Sequence, residues 1–157
     1  MTPFEISQHR LRQQQIVASH CRTPVEVVAT LGAMQAQDYT GALWAIGLRL
    51  PDFTEPAVEK AIAERTIVRT WPMRGTLHFV AAADIRWMLE LLTPRIIAGS
   101  ASRARDLELD ARVFTRCEKL FVRELAGGRQ LARETLLELL DANKIPKIGR
   151  ASCRERV

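Results

Sequence analysis

Arg69–Val80, RTWPMRGTLHFV, is the stretch whose reading decides the fold. Its ends belong to two segments rich in β-branched and aromatic residues, Thr66 to Trp71 and Thr76 to Ala81, which read as strands. Between them Pro72-Met73-Arg74-Gly75 has the composition of a turn. The spacing predicts a β-hairpin. In its second strand Thr76 and His78 share one face, and Leu77 and Phe79 the other.

Upstream of the hairpin the chain reads as helices. Thr23-Pro24-Val25-Glu26 has the form of a capping box, with threonine as N-cap, proline at the first helical position and glutamate at the third. The helix it opens is expected to run from Pro24 to about Met34, with Val27, Val28, Leu31 and Met34 as its apolar stripe. A second helix is expected over Gly41 to Arg49, ended by Pro51; it is apolar nearly all round, which places it in the core. Thr54 caps a third over Glu55 to Glu64, with Val58, Ala61 and Ile62 facing inward, and a polar helix over Glu5 to His20 precedes all of these. Three helices followed by a hairpin is the layout of a winged helix, in which the hairpin is the wing and the preceding helix is the one normally offered to DNA.

Downstream, helices are expected over Asp84 to Leu92, over Pro94 to Ala104 with Thr93 as N-cap, over Asp110 to Leu125 and over Arg133 to Asn143. The Gly127-Gly128 connection makes the last two read as the opening of a second helix-turn-helix. The expected fold is therefore mainly α with a small β-hairpin wing. It divides into a first winged-helix unit over 1–81, a helical linker with an incomplete second unit over 82–147, and a tail over 148–157. That tail, IGRASCRERV, matches residue for residue the translation of a common sequencing adapter. It is expected to be an artefact, with natural sequence continuing beyond Lys147 in a longer parent and the fragment alone inactive.

Composition sets wide bounds. With 47% apolar residues there is material for a compact core, and no apolar run is long enough to span a bilayer. The N-terminus lacks the pattern of a secretory signal, so a cytoplasmic protein with no membrane partner is expected. Cys21, Cys117 and Cys153 form no CxxC pair, and His20 beside Cys21 lacks further ligands at metal spacing; free thiols and no cofactor are expected. The formal net charge of +5 includes Arg150, Arg154 and Arg156 against Glu155 in the tail, which leaves the remainder mildly basic.

Three strings, LGAMQAQDY (Leu31 to Tyr39), ALWAIGLRL (Ala42 to Leu50) and RTWPMRGTLHFV, together resemble the winged-helix DNA-binding proteins related to AlkZ. The resemblance implies tandem winged-helix units followed by a β-barrel around a DNA channel. It also implies a monofunctional DNA glycosylase acting on alkylated purines, crosslinked ones included, in which the glutamines of a Q-x-Q motif carry hydrolysis of the glycosidic bond. Those glutamines would be Gln35 and Gln37. The partner implied is damaged double-stranded DNA, bound by a monomer.

The chemistry suits those residue types. A purine alkylated at N7 carries positive charge and leaves easily, so the enzyme has only to hold a water at C1′ and stabilise oxocarbenium character; neutral amides can orient a water without taking its proton outright. On a helix, positions i and i+2 point about 200° apart and could not share one water. The helix is therefore expected to end or unwind near Gln35, so that Gln35 and Gln37 project to one side of extended chain.

Each candidate has a plainer reading. Without the resemblance, Gln35 and Gln37 are solvated residues at a helix end, and Asp38 is an Asx-turn residue rather than one that tunes the water. Arg69, Arg74 and His78 are candidates for DNA contact; for Arg74 the alternative is a surface ion pair, and for His78 a structural histidine hydrogen-bonded beneath the wing. Trp44, Trp71 and Trp87 could stack on an extruded base, but core packing is expected for Trp44 and Trp87. Arg95, Arg103 and Arg105 form either a phosphate track or a solvated helix face. The rival function is a non-enzymatic winged-helix protein, such as a transcriptional regulator.

Overall fold

A computed structural model describes residues 1–73 and 75–146, so Arg74 and the 148–157 tail lie outside the described residues. The hairpin is present. Strand β2 (Ile67–Met73) pairs antiparallel with β3 (Thr76–Ala81), and because Met73 pairs with Thr76 the strands continue closer to the tip than a turn over Pro72 to Gly75 would allow. Pro72 has no N–H for the ladder, and the register is irregular between Thr70 and Met73 where it sits.

A third strand, β1 (Ala33–Gln35), lies on the other side of β3, giving the order β1-β3-β2. It replaces the last turn expected of the preceding helix. Helix α1 (Pro3–Gln13) comes first, and α2 (Pro24–Leu31) stops three residues short of Met34 because Gly32 takes φ +75°, a left-handed conformation that ends a helix. The capping box at its start is complete: Thr23 Oγ1 accepts from Glu26 N–H at 3.3 Å, and Glu26 Oε2 accepts from the backbone N–H groups of Thr23 and Arg22 at 3.3 and 2.7 Å. The Arg22 bond is the main reason the Glu26 carboxyl is held below its usual range, with the Thr23 bonds adding and desolvation opposing.

Helices α3 (Tyr39–Gly47) and α4 (Glu55–Ala63) follow, and α2, α3, α4 and the sheet enclose one apolar core. Val27, Val28, Leu43, Ile46, Val58, Ile67 and Phe79 are fully buried there. The helix expected to be core all round is half-exposed: Leu43 and Ile46 point inward, whereas Trp44 is 61% exposed. A short helix packed against α2 and α4 buries one stripe, and Trp44 falls outside it. Trp87 is likewise 49% exposed, its indole N–H donating to Asp84 Oδ1 at 2.8 Å, so neither tryptophan is the core residue expected. Buried Arg49 donates from Nε to the Gln14 carbonyl at 2.7 Å and from Nη1 to that of Ala45, tying the segment after α1 to α3; burial lowers its pKa.

The two helices expected on either side of Thr93 are a single helix, α5 (Ile85–Asp106), with Pro94 inside it. Proline's fixed φ is itself helical, and what it removes is one hydrogen bond. The chain forms two compact units, Met1–Ile97 and a second beginning at Ala98. In the second unit α6 (Ala111–Glu124) is capped by Asp110 Oδ1, which accepts from Val113 N–H at 2.8 Å, and a short turn at Ala126–Gly128 leads to α7 (Arg133–Ala142). Leu120, Leu140 and Ile145 form its small buried core. The whole is a mainly α-helical fold with a small antiparallel β wing. Among the described residues no helix is long and apolar enough to cross a membrane.

A candidate active site at the end of the first strand

The chain from Met34 to Gln37 alternates in burial: Met34 and Ala36 are buried, Gln35 and Gln37 exposed. That is the period of extended chain, and it sets both glutamine side chains on one exposed side, as their spacing required. Gln35 is the last residue of β1 and stands opposite His78 of β3, which in turn stands opposite Thr70 of β2.

Beyond Gln35 the ladder is prolonged in an unusual way. Ala36 N–H donates to the Leu77 carbonyl at 2.8 Å, and Leu77 N–H donates not to backbone but to the side-chain Oε1 of Gln37 at 3.0 Å. Because a backbone N–H can only donate, this bond fixes which end of the Gln37 amide faces the sheet, and the NH2 group must point away from Leu77.

Arg69 closes the arrangement from β2. Its Nε and Nη2 donate to the Ala36 carbonyl at 2.9 and 2.7 Å, and Nη2 also reaches the Gln37 carbonyl at 3.2 Å. The guanidinium carbon lies 5.4 Å from the centre of the Tyr39 ring, which packs edge-on against buried Phe79 with centroids 6.0 Å apart. Just beyond the motif, Asp38 stands at the N-cap position of α3, and its carboxylate folds over Gly41, where an added Cβ would lie 2.6 Å from Oδ2. A carboxylate at that helix end is favoured by the helix dipole.

The other expected contact residues are placed differently. His78 is 4% exposed, and its Nδ1 lies 2.9 Å from the Thr76 carbonyl, so Nδ1 carries the proton. This is the hydrogen-bonded histidine of the plainer reading, placed on the same sheet face as Gln35, its cross-strand partner. Arg69, an expected DNA contact, donates from Nε and Nη2 to the carbonyls of Ala36 and Gln37. Arg74 is outside the described residues. Trp71, in β2, is 58% exposed. The helix expected to be offered to DNA, α4, has Glu55, Glu59 and Glu64 exposed against Lys60, which itself pairs with Glu64 at 3.7 Å. With exposed Arg65 directly after Glu64, this segment is only mildly acidic. Among the described residues no three His, Cys, Asp or Glu side chains gather as a metal site.

Sequence reading missed β1, the Leu77 bond and the Arg69 clamp. The signals available were Gly32, a helix-ending residue placed directly after Leu31, and the M-Q-A-Q alternation that follows it. No curated protein and no solved structure matches the chain. A family model described as DNA glycosylase AlkZ-like matches residues 28–154, a span that contains the glutamine pair, the hairpin and Arg69. The chain belongs to the AlkZ-like DNA glycosylase family, and its role is that of a DNA glycosylase, which binds DNA.

Proposed function

We propose that the protein is a monofunctional glycosylase that hydrolyses the N-glycosidic bond of N7-alkylated purines in double-stranded DNA, acting as a monomer with Gln35 and Gln37 at its reacting centre. The observation that carries this reading is the extended Gln35-Ala36-Gln37 segment, which puts both amides on one exposed side at the end of a strand. The chain order α2-β1-α3-α4-β2-β3 with a β1-β3-β2 sheet supports a winged-helix reading of this part. Helices α6 and α7 are read as the opening of a second such unit.

The side chains suit a substrate that is already activated. Gln35 offers a carbonyl oxygen to accept a hydrogen bond from a water, and Gln37 offers the N–H groups left free by its bond to Leu77. Together they can hold a water oxygen toward C1′, while the cationic purine leaves without strong protonation. Amides are too weakly basic to drive hydrolysis of an undamaged nucleotide, so the reading includes selectivity for damage.

The test is base release by the full-length protein from duplex DNA carrying N7-methylguanine, a crosslinked purine adduct, or no lesion. Release of the alkylated base with an intact abasic strand, and none from undamaged DNA, is expected. Equal release from undamaged DNA, or strand cleavage coupled to release, would contradict the reading.

A further inference from the structure

We infer that Arg69 is a positioning residue for the glutamine pair and not a phosphate contact; the inference rests on the glycosylase reading above. Thirty-odd residues separate Arg69 from Gln35–Gln37 in the chain, yet its guanidinium makes three hydrogen bonds to the carbonyls of Ala36 and Gln37. The Ala36 carbonyl receives both Nε and Nη2, the geometry of a planar fork. These carbonyls lie past the end of β1, where β3 still accepts the Ala36 N–H at the Leu77 carbonyl but the Leu77 N–H goes to the Gln37 side chain, so the carbonyl side of the segment has to be held extended by another donor. The clamp takes over that task.

The consequence runs through the backbone to the side chains. With both carbonyls turned toward Arg69, Ala36 N–H faces Leu77, and the Gln37 amide can reach the Leu77 N–H. Relaxing the segment toward helix would swing Gln35 and Gln37 to different sides and separate their amides. Tyr39 and Phe79 fix the guanidinium in turn: the cation lies by the Tyr39 ring, and that ring is wedged against a fully buried phenylalanine. Nε and Nη2 are engaged in this clamp, which leaves the Nη1 hydrogens for any other partner. A lysine keeps the charge but lacks the fork.

The experiment uses Arg69→Lys and Arg69→Met in the full-length protein, beside wild type and Gln35→Ala. It reads the single-turnover rate constant for N7-methylguanine release at saturating DNA, the DNA Kd over a range of salt, and exchange of the Leu77 amide hydrogen. Expected is a rate constant reduced about tenfold or more in both variants, with faster Leu77 exchange, while Kd stays within about twofold and its salt slope is unchanged. An unaltered rate constant at saturating DNA, or a weaker Kd whose salt slope falls by about one unit, would overturn the inference and make Arg69 a phosphate ligand. Should Arg69→Met fail to fold, Arg69→Lys decides alone. If Gln35→Ala releases base like wild type, it is the assignment of the reacting centre that fails, whereas Leu77 exchange in the Arg69 variants still tests the clamp.

Discussion

The side-chain oxygen of Gln37 accepts the backbone N–H of Leu77 at 3.0 Å, so a glutamine assigned to the reaction also completes the sheet. The two glutamines are therefore expected to differ in stability. Gln37→Ala strands a backbone donor and should destabilise the fold by about 1 kcal/mol, while Gln35→Ala, at an exposed strand end, should stay within about 0.5 kcal/mol of wild type. Denaturant unfolding checks this; equal effects would contradict the Leu77 bond.

Gly47 and Gly99 offer a paired test of packing. A Cβ on Gly47 would lie 2.4 Å from the Phe53 ring, whereas one on Gly99 meets nothing within 4 Å. Both are helical, so alanine should help where there is room. Gly99→Ala is expected to stabilise its helix by about 0.5–1 kcal/mol, and Gly47→Ala to destabilise by about 1–3 kcal/mol as the ring is displaced. Thermal unfolding of the two variants should shift in opposite directions.

The capping box at the start of α2 gives a pH dependence with a definite sign. The folded-state pKa of Glu26 is depressed, chiefly by the Arg22 N–H bond. Its contribution to stability is thus present above the unfolded pKa and is lost as pH falls through the lower folded pKa. The stability difference between wild type and Glu26→Gln should be constant near neutrality and vanish in acid below the ordinary glutamate range. A difference that grows on acidification would contradict the assignment.

Tryptophan emission reports on exposed positions of α3, β2 and α5. Trp44, Trp71 and Trp87 are 61%, 58% and 49% exposed, so the native spectrum should be that of solvated indole and move little on unfolding. A blue-shifted native emission with a large red shift in denaturant would place at least one of them in the core.

The sequence made the hairpin, the capping box at Thr23 and the approximate helices readable, because each depends on neighbours within a few residues. Residues 33–35 were harder. Val27, Val28, Leu31 and Met34 keep helical spacing, and only Gly32 marks the point where the chain leaves the helix to pair with β3. The glutamine pair was legible only through the family resemblance, and the divergence of i and i+2 on a helix then predicted that the chain is extended there. Arg69 was not, because its partners are carbonyls that become available only when β1 ends and β2 is brought close. Trp44 was misplaced for a related reason: an apolar helix shows how much it could bury, and its neighbours decide which stripe it does bury.

The most direct test of the central claim is the single-turnover rate of N7-methylguanine release by wild-type protein and by Gln35→Ala, each at DNA concentrations that saturate binding. Gln35 is exposed at the end of β1, so the substitution separates chemistry from stability. The account predicts a rate constant lower by about a hundredfold or more with an unchanged Kd, the signature of an interaction made in the transition state. An unchanged rate constant in a folded, DNA-saturated Gln35→Ala protein would contradict it and move the reacting centre elsewhere in the molecule.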